Sequence, residues 1–350
     1  MSKYKVGLVG VTGYTGMELA RLLAVHPSMT LVRATSRAEA GKPLKEIYPF
    51  VQGFELGEQI ICLPDPEDLA RACDLVFLAV PHKTAMDIAG TLRRHGVRVV
   101  DLSADFRLRD PNVYAQWYGV EHCEDSLLAE AVYGLPELYR HKVAQAGLIA
   151  NPGCYPTSAI LGLYPALKRG LIETTGIVVD SKSGTTGAGR KASVGTLFCE
   201  VSDTFRAYNL GGHRHTPEIE QEVSAIAGQD ITLSFNTHLL PINRGILTTI
   251  YTQLTTELST ERAVALYRDV YAQEQWIRVL DPGKLPETRF VRGTMFCDMG
   301  LVVDPRTNRL LIVTTIDNLC RGASGQALAN ANLMLGLDEA EGLNLPPLMP

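Results

Sequence analysis

Over residues 1–100, short apolar runs alternate with stretches of helical spacing. Lys5 to Gly10 is an apolar run closed by a glycine, and Met17 to Val25 carries Leu19, Leu22 and Leu23 on one helical face. Thr30 to Thr35 and Ile60 to Leu63 read as strands. Asp74 to Val80 is apolar nearly throughout, as a strand buried on both faces should be. A helix is predicted from Thr84 to His95 and a strand from Val97 to Leu102. Alternation of this kind predicts an α/β Rossmann-type domain, a doubly wound parallel sheet with helices on both faces.

Near residue 150 the pattern changes. Asn151-Pro-Gly-Cys-Tyr-Pro156 is dense in turn formers, and helical spacing follows from Thr157 to Arg169. Longer strand candidates come next: Gly176–Ser181, Ile231–Leu239, Ile246–Leu254, Met295–Val303 and Leu310–Ile316. Asp304-Pro-Arg-Thr-Asn308 reads as the turn between the last two. Strands with few helices between them predict an α+β domain with a mostly antiparallel sheet, suited to substrate binding and dimerisation. A closing helix is predicted from Gly322 to Leu337, and Leu343 to Pro350, with three prolines, is expected to be a loose extension.

Length and charge narrow the function classes. A chain of 350 residues suggests about two domains. Lys plus Arg is 33 against 38 for Asp plus Glu, a net charge of −5, which excludes a broadly basic nucleic-acid surface. No nucleic-acid partner is expected, although a local cationic pocket for a small anion is compatible with this balance. No apolar run approaches the ~20 residues that span a bilayer, and the N-terminus lacks a secretory pattern. No membrane partner is therefore expected. Seven cysteines, an odd number without a CxxC pair, argue against a disulfide framework and a zinc site. A cytoplasmic protein without a structural metal is the reading.

Candidate chemistry begins at Gly10-Val-Thr-Gly-Tyr-Thr-Gly16, between the first strand and the first helix. One glycine allows the turn, one lets a pyrophosphate approach the backbone, and one permits close helix packing. Gly10, Thr12, Gly13, Tyr14, Thr15 and Gly16 are thus the candidate dinucleotide contacts. At the end of the second strand, where an NAD site usually carries a carboxylate, the chain reads Ala34-Thr-Ser36-Arg37. Ser36 and Arg37 suit a 2′-phosphate, so NADP(H) is the expected cofactor.

Cys154 lies just ahead of a predicted helix, whose N-terminus favours a thiolate. Cys73, Cys199 and Cys297 lie beside or among apolar residues and read as small buried hydrophobes. A nucleophilic cysteine needs a proton-transfer partner, and Gly211-Gly-His-Arg-His-Thr-Pro-Glu218 clusters two imidazoles, a guanidinium and a carboxylate. Asp180-Ser-Lys-Ser183-Gly-Thr-Thr-Gly-Ala-Gly-Arg190-Lys191 can hold a phosphate through N–H groups, hydroxyls and cations. Ser103 and Arg107, at the carboxyl end of a sheet strand, are further candidate contacts. Arg244, between two apolar runs, could meet a carboxylate.

Taken together, these stretches resemble the N-acetyl-γ-glutamyl-phosphate reductase family of arginine biosynthesis, relatives of aspartate-semialdehyde dehydrogenase. The likeness rests on Gly10–Gly16, Leu102-Ser-Ala-Asp-Phe-Arg107, Asn151-Pro-Gly-Cys-Tyr-Pro-Thr157, Ser183–Arg190, His213-Arg-His-Thr-Pro-Glu218 and Asp317-Asn-Leu-Cys-Arg-Gly-Ala-Ser-Gly-Gln326. Thr186 stands where the family more often has serine. The resemblance implies NADPH-dependent reduction of N-acetyl-glutamyl 5-phosphate to the semialdehyde and inorganic phosphate through a cysteine thioester. It makes Cys154 the nucleophile and His213 the acid/base, with His215 as second choice. Arg107, Ser183, Arg190, His215, Glu218 and Arg244 would be substrate contacts, and Asn318 and Gly322 would lie by the nicotinamide. It also implies an NADP-binding domain of residues 1–150 with 318–350, a catalytic domain of 151–317, and a homodimer or homotetramer. The rivals are the same chemistry on N-acetyl-aminoadipyl or aspartyl phosphate, and a non-catalytic NADP sensor.

Overall fold

The first apolar run becomes strand β1, Tyr4–Val9, whose last four residues are buried. The computed structural model describes residues 3–349. Six further strands join β1: β2 (Met29–Thr35), β3 (Ile61–Cys62), β4 (Leu75–Leu78), β5 (Arg98–Asp101), β6 (Val132–Tyr133) and β7 (Leu148–Ala150). Their order is β3-β2-β1-β4-β5-β7-β6, with every pair parallel. This is the doubly wound sheet that the alternation predicts. Strand order reverses beside β1, so its carboxyl end is the switch point where such sheets bind ligands.

The second sheet is built from β8 (Val178–Gly184), β9 (Arg206–Tyr208), β10 (Ser234–Leu240), β11 (Ile246–Gln253), β12 (Ile277–Val279), β13 (Cys297–Asp304) and β14 (Arg309–Ile316). Its order is β12-β13-β14-β11-β8-β10-β9. The pairs β12–β13 and β8–β10 are parallel and the rest antiparallel, so the sheet is mixed and mostly antiparallel. Along β11 buried and half-buried residues alternate strictly, the mark of one face covered and one open. The helix Cys154–Lys168 packs on the covered face. Gly162 permits that approach, since a Cβ there would lie 2.8 Å from Ile250 Cδ1. Beneath the helix, the hydroxyls of Ser158 and Ser181 each lie 2.8 Å from that of Thr248, so these buried polar groups satisfy one another.

The chain forms two compact units: residues up to Pro152 with Ala323–Leu345, and Gly153–Gly322 with the residues from Pro346. In the first, the helix Gly325–Met334 packs on the helix Pro136–Gln145. Asn330 secures it, its amide donating to Gly134 O and to Asn151 Oδ1.

Two expectations are corrected. Leu343 is buried and the Leu348 N–H donates to Arg292 O, so residues 343–348 are tethered at these two points rather than loose, while the Leu348 side chain stays exposed. Cys73 and Cys297 are buried as packing residues, but Cys199 is exposed. Its apolar neighbours do not bury it, because Leu197 and Phe198 are themselves exposed.

Candidate active site

In the first unit, the glycine loop leaves β1 and opens the helix Tyr14–Leu23. Gly10 has φ +87°, and a Cβ there would lie 2.3 Å from Ala79 O, so only glycine fits. Gly16 is crowded instead, since a Cβ on it would lie 2.4 Å from Gly10 O. At Gly13 the nearest atom would be 3.7 Å away, which leaves the backbone approachable. No side chain caps this helix, an arrangement suited to an anion at its N-terminus. Thr12 Oγ1 lies 3.3 Å from Ser36 Oγ, which joins the glycine loop to the end of β2. Arg37 is exposed next to it. Ser324 ties the loop to the returning segment by donating to Thr15 O at 2.8 Å. These groups fit a dinucleotide with an anionic 2′-substituent.

Beyond β5, Ser103 is engaged within the protein. Its hydroxyl donates to Asp101 Oδ2 at 2.7 Å and accepts from the Asp105 N–H. Burial and the neighbouring Asp105 push the Asp101 carboxyl up to about 7. Asp105 in turn accepts from the N–H groups of Lys83 and Ala85 and holds a turn in which Lys83 has φ +74°. Arg107 is buried, donating to Asn151 O at 2.8 Å and Leu102 O at 2.9 Å.

The nucleophile candidate lies in the second unit. The helix begins at Cys154 rather than at the predicted Thr157, because proline is accepted in a first turn and Pro156 does not block it. Cys154 is therefore the first helical residue, where the macrodipole favours a thiolate. The turn before it is braced by Glu218, a buried residue in the first turn of the helix Thr216–Ala227. Glu218 Oε1 accepts from the Gly153 N–H at 2.8 Å. Gly322 belongs to a π-helical turn, Cys320–Ser324, a kind of irregularity often found at functional sites. A Cβ on Gly322 would stand 2.7 Å from Cys154 Cβ, so glycine is required for this approach.

His213 packs among rings. Its centroid lies 5.4 Å from Tyr155, 5.8 Å from Tyr208, 5.3 Å from Phe235 and 4.8 Å from His215. Burial, with the Arg214 cation second, lowers its pKa from 6.5 to about 4. A depressed folded value means that stability present above 6.5 is lost as pH falls through about 4. The Tyr155 and Tyr208 hydroxyls are 2.7 Å apart, and burial raises the Tyr208 phenol to about 12. Neither tyrosine was a sequence candidate. Tyr155 adjoins Cys154 in its motif, whereas Tyr208 arrives only through the pairing of β9 with β10, opposite Thr237.

The remaining candidates scatter around this centre. Ser183 is buried at the end of β8 and donates to Gly184 O. Arg190 is exposed in the loop beyond. Asn318 is tied within the second unit, accepting from the Gly245 N–H and donating to Thr186 Oγ1. Arg244 is paired with the buried Asp317, its Nε 2.9 Å from Oδ2. Asp317 was not singled out from the sequence, since one acidic residue between a strand and a turn carries no local signal. Among the described residues, no three His, Cys, Asp or Glu side chains are grouped to hold a metal ion.

Two family models match the chain. Residues 5–146 match the NAD binding domain of semialdehyde dehydrogenase, and residues 154–318 match its dimerisation domain. N-acetyl-gamma-glutamyl-phosphate reductase of Desulfotalea psychrophila is 50% identical over 348 residues, covering 99% of both chains. The protein of that name from Geotalea daltonii is 51% identical, again over 99% of both. The chain belongs to the N-acetyl-gamma-glutamyl-phosphate reductase family. Its fold extends well beyond this reductase family. Aspartate semialdehyde dehydrogenase II of Vibrio cholerae, solved with ASA, superposes with a TM-score of 0.72 at 15% identity, covering 96% of this chain and 99% of that one. The Candida albicans aspartate semialdehyde dehydrogenase, solved with NADP, gives 0.69 at 18% identity, covering 95% and 99%.

Proposed function

We propose that this protein reduces N-acetyl-glutamyl 5-phosphate to N-acetyl-glutamate 5-semialdehyde and inorganic phosphate, with NADPH, as a step of arginine biosynthesis. One observation carries the reading. A cysteine stands as the first residue of a helix in a chain half identical, end to end, to relatives named for reducing this acyl phosphate. The first unit binds the cofactor and the second carries the chemistry.

Cys154 thiolate attacks the acyl carbon, and the C–O bond to phosphate breaks as the C–S bond forms. The bound cofactor supplies hydride to the resulting thioester. The hemithioacetal oxyanion then re-forms its carbonyl and expels the Cys154 thiolate. His213 faces the developing oxyanion, with His215 as the second candidate. Gly322 lets the backbone close on Cys154, and Glu218 holds the preceding turn through the Gly153 N–H. Ser183, Arg190 and Arg244 of the second unit are the proposed contacts of phosphate and carboxylate, with Arg244 held in place by Asp317. Ser103 and Arg107 act chiefly by shaping the loop after β5. Gly10, Thr12, Gly13, Tyr14, Thr15 and Gly16 take the pyrophosphate, Ser36 and Arg37 the 2′-phosphate, and Asn318 and Gly322 border the nicotinamide.

The test runs the reaction backwards, as phosphate-dependent reduction of NADP+ by N-acetyl-glutamate semialdehyde. This aldehyde should outperform aspartate semialdehyde by far, and its aminoadipate homologue by about 10–200-fold, the worth of one methylene. Equal or faster turnover of aspartate semialdehyde would reassign the substrate. No turnover of any aldehyde, with NADPH still bound, would favour a sensor. In the same assay Arg37→Ala should raise the KM for NADP+ about 10–100-fold, the loss of one charge-assisted bond, and leave NAD+ unaffected. Equal weakening of both cofactors would remove Arg37 from the 2′-phosphate.

The protein is further proposed to be a cytoplasmic homodimer or homotetramer. Among the described residues no cysteine is disulfide-bonded, which fits a reducing compartment. No helix of the described residues is long and apolar enough to cross a membrane. The open face of the second sheet presents Leu247, Tyr251, Leu311 and Val313 half-buried. Beside its edge strand β9, Phe198 is 83% and Val194 72% exposed, apolar side chains that a partner subunit would cover. Sedimentation should give at least twice the 38.2 kDa of one chain, and Phe198→Asp should lower that mass or weaken association. A monomer at micromolar concentration would overturn this assignment.

A further inference from the structure

The family resemblance gives His213 the part of acid/base, but its hydrogen bonding fixes a narrower role. The backbone N–H of His215 donates to Nδ1 of His213 at 3.1 Å. A ring nitrogen that accepts a hydrogen bond presents a lone pair, so the neutral ring keeps its proton on Nε2. Protonating Nδ1 would set one N–H against another and break that contact.

The surroundings act in the same direction. The helix Cys154–Lys168 contributes Tyr155 and, next to it, Cys154, while β9 contributes Tyr208 and β10 contributes Phe235. The loop itself contributes His215 and the Arg214 cation. Burial and Arg214 both oppose the imidazolium, and no carboxylate among the described residues counters them. A histidine with a pKa of about 4 is neutral at neutral pH. A base whose Nε2 already carries the proton cannot take another from a thiol.

We propose that His213 serves as a fixed Nε2–H donor to the carbonyl oxygen as it becomes an oxyanion, and not as the base that deprotonates Cys154. The proposal rests on the thioester reading above. The cycle closes without a base in this position. Cys154 enters as the thiolate favoured by its helix N-terminus. The departing phosphate takes up one proton from water. Hydride from the bound NADPH adds to the thioester carbon, leaving NADP+ and an alkoxide hydrogen-bonded to His213. That alkoxide returns its electron pair to the C=O bond as the C–S bond breaks, and the thiolate is restored.

Nitrogen-15 correlation spectra of histidine-labelled protein, assigned with His213→Gln, test the tautomer directly. Between pH 5 and 8, conditions chosen for the test on the order of the histidine range, His213 should show a protonated Nε2 and an unprotonated Nδ1. An Nδ1–H tautomer or an imidazolium at neutral pH overturns the proposal. Kinetics give a second reading. His213→Ala should lose about 10²–10³-fold in kcat, the worth of one oxyanion donor. His213→Gln, which restores an N–H, should recover to within about tenfold of wild type with the acid limb of its pH profile unmoved. Equal losses in both variants, or loss of the acid limb in His213→Gln, would restore the base. Cys154→Ala run in parallel separates the two ideas: turnover there would sink the thioester, whatever the tautomer.

Discussion

Cys154→Ala is expected to lower turnover by about 10⁴-fold or more, with NADPH affinity unchanged. The size follows from what is removed. Without sulfur there is no thioester, and hydride would have to add to the acyl phosphate itself. The residual rate would come only from positioning and oxyanion stabilisation. Affinity for NADPH should persist because the glycine loop, Ser36 and Arg37 all belong to the first unit, whereas Cys154 belongs to the second. The substitution should also leave the fold intact. Alanine is a good helix former at the start of Cys154–Lys168, and it keeps the Cβ that meets Gly322. Stopped-flow mixing with acyl phosphate, followed by acid quench and mass analysis, should detect an acylated wild-type enzyme and none in the variant. Near-normal turnover of Cys154→Ala would end the proposed mechanism.

The second large effect concerns stability. Asp317→Asn should destabilise the second unit by about 3–5 kcal/mol, the usual result of breaking a buried charge pair on one side. Asp317 is fully buried, and five donors converge on it. Arg244 supplies Nε and a terminal nitrogen, and the backbone N–H groups of Gly293, Leu319 and Cys320 approach at 2.6–2.8 Å. An asparagine removes the charge and turns an N–H₂ toward donors, leaving the Arg244 cation with a weakened partner. Trp276 lies in the second unit and Trp117 in the first, so urea melts in a Trp117→Phe background report on the relevant half. A loss below about 1 kcal/mol would show that surrounding dipoles suffice without the carboxylate. Activity should fall along with stability. Asp317 anchors the start of the turn that presses Gly322 against Cys154, and its carbonyl accepts from the Gly322 N–H at 2.9 Å.

Some of this architecture is readable because it is local. The apolar runs at β1, β4 and β5 announce a parallel sheet, since strands buried on both faces must be continuously apolar. The glycine loop announces itself because Gly10 answers to a backbone angle and Gly16 to a close approach within six residues of chain. By contrast β6, β7, β9 and β12 are two or three residues long, too short to display any period. They exist because neighbouring strands offer them hydrogen bonds. The two parallel pairs in the second sheet were likewise hidden, because strand direction depends on the path of the connections.

The sequence by itself determined the fold class, the cofactor loop and the residue types that gather as Cys154, His213 and Glu218. These depend on short-range spacing, which survives without the rest of the chain. Only the tertiary structure decided what each group is free to do. It engaged Glu218 with the Gly153 N–H, Arg244 with Asp317, and Asn318 with Gly245 and Thr186. It also brought Tyr208 to Tyr155 and turned Nδ1 of His213 toward the backbone N–H of His215. A side chain's chemistry is fixed by its type, but its available atoms are whatever distant partners leave over. Those partners are set by long-range packing, which no local pattern records.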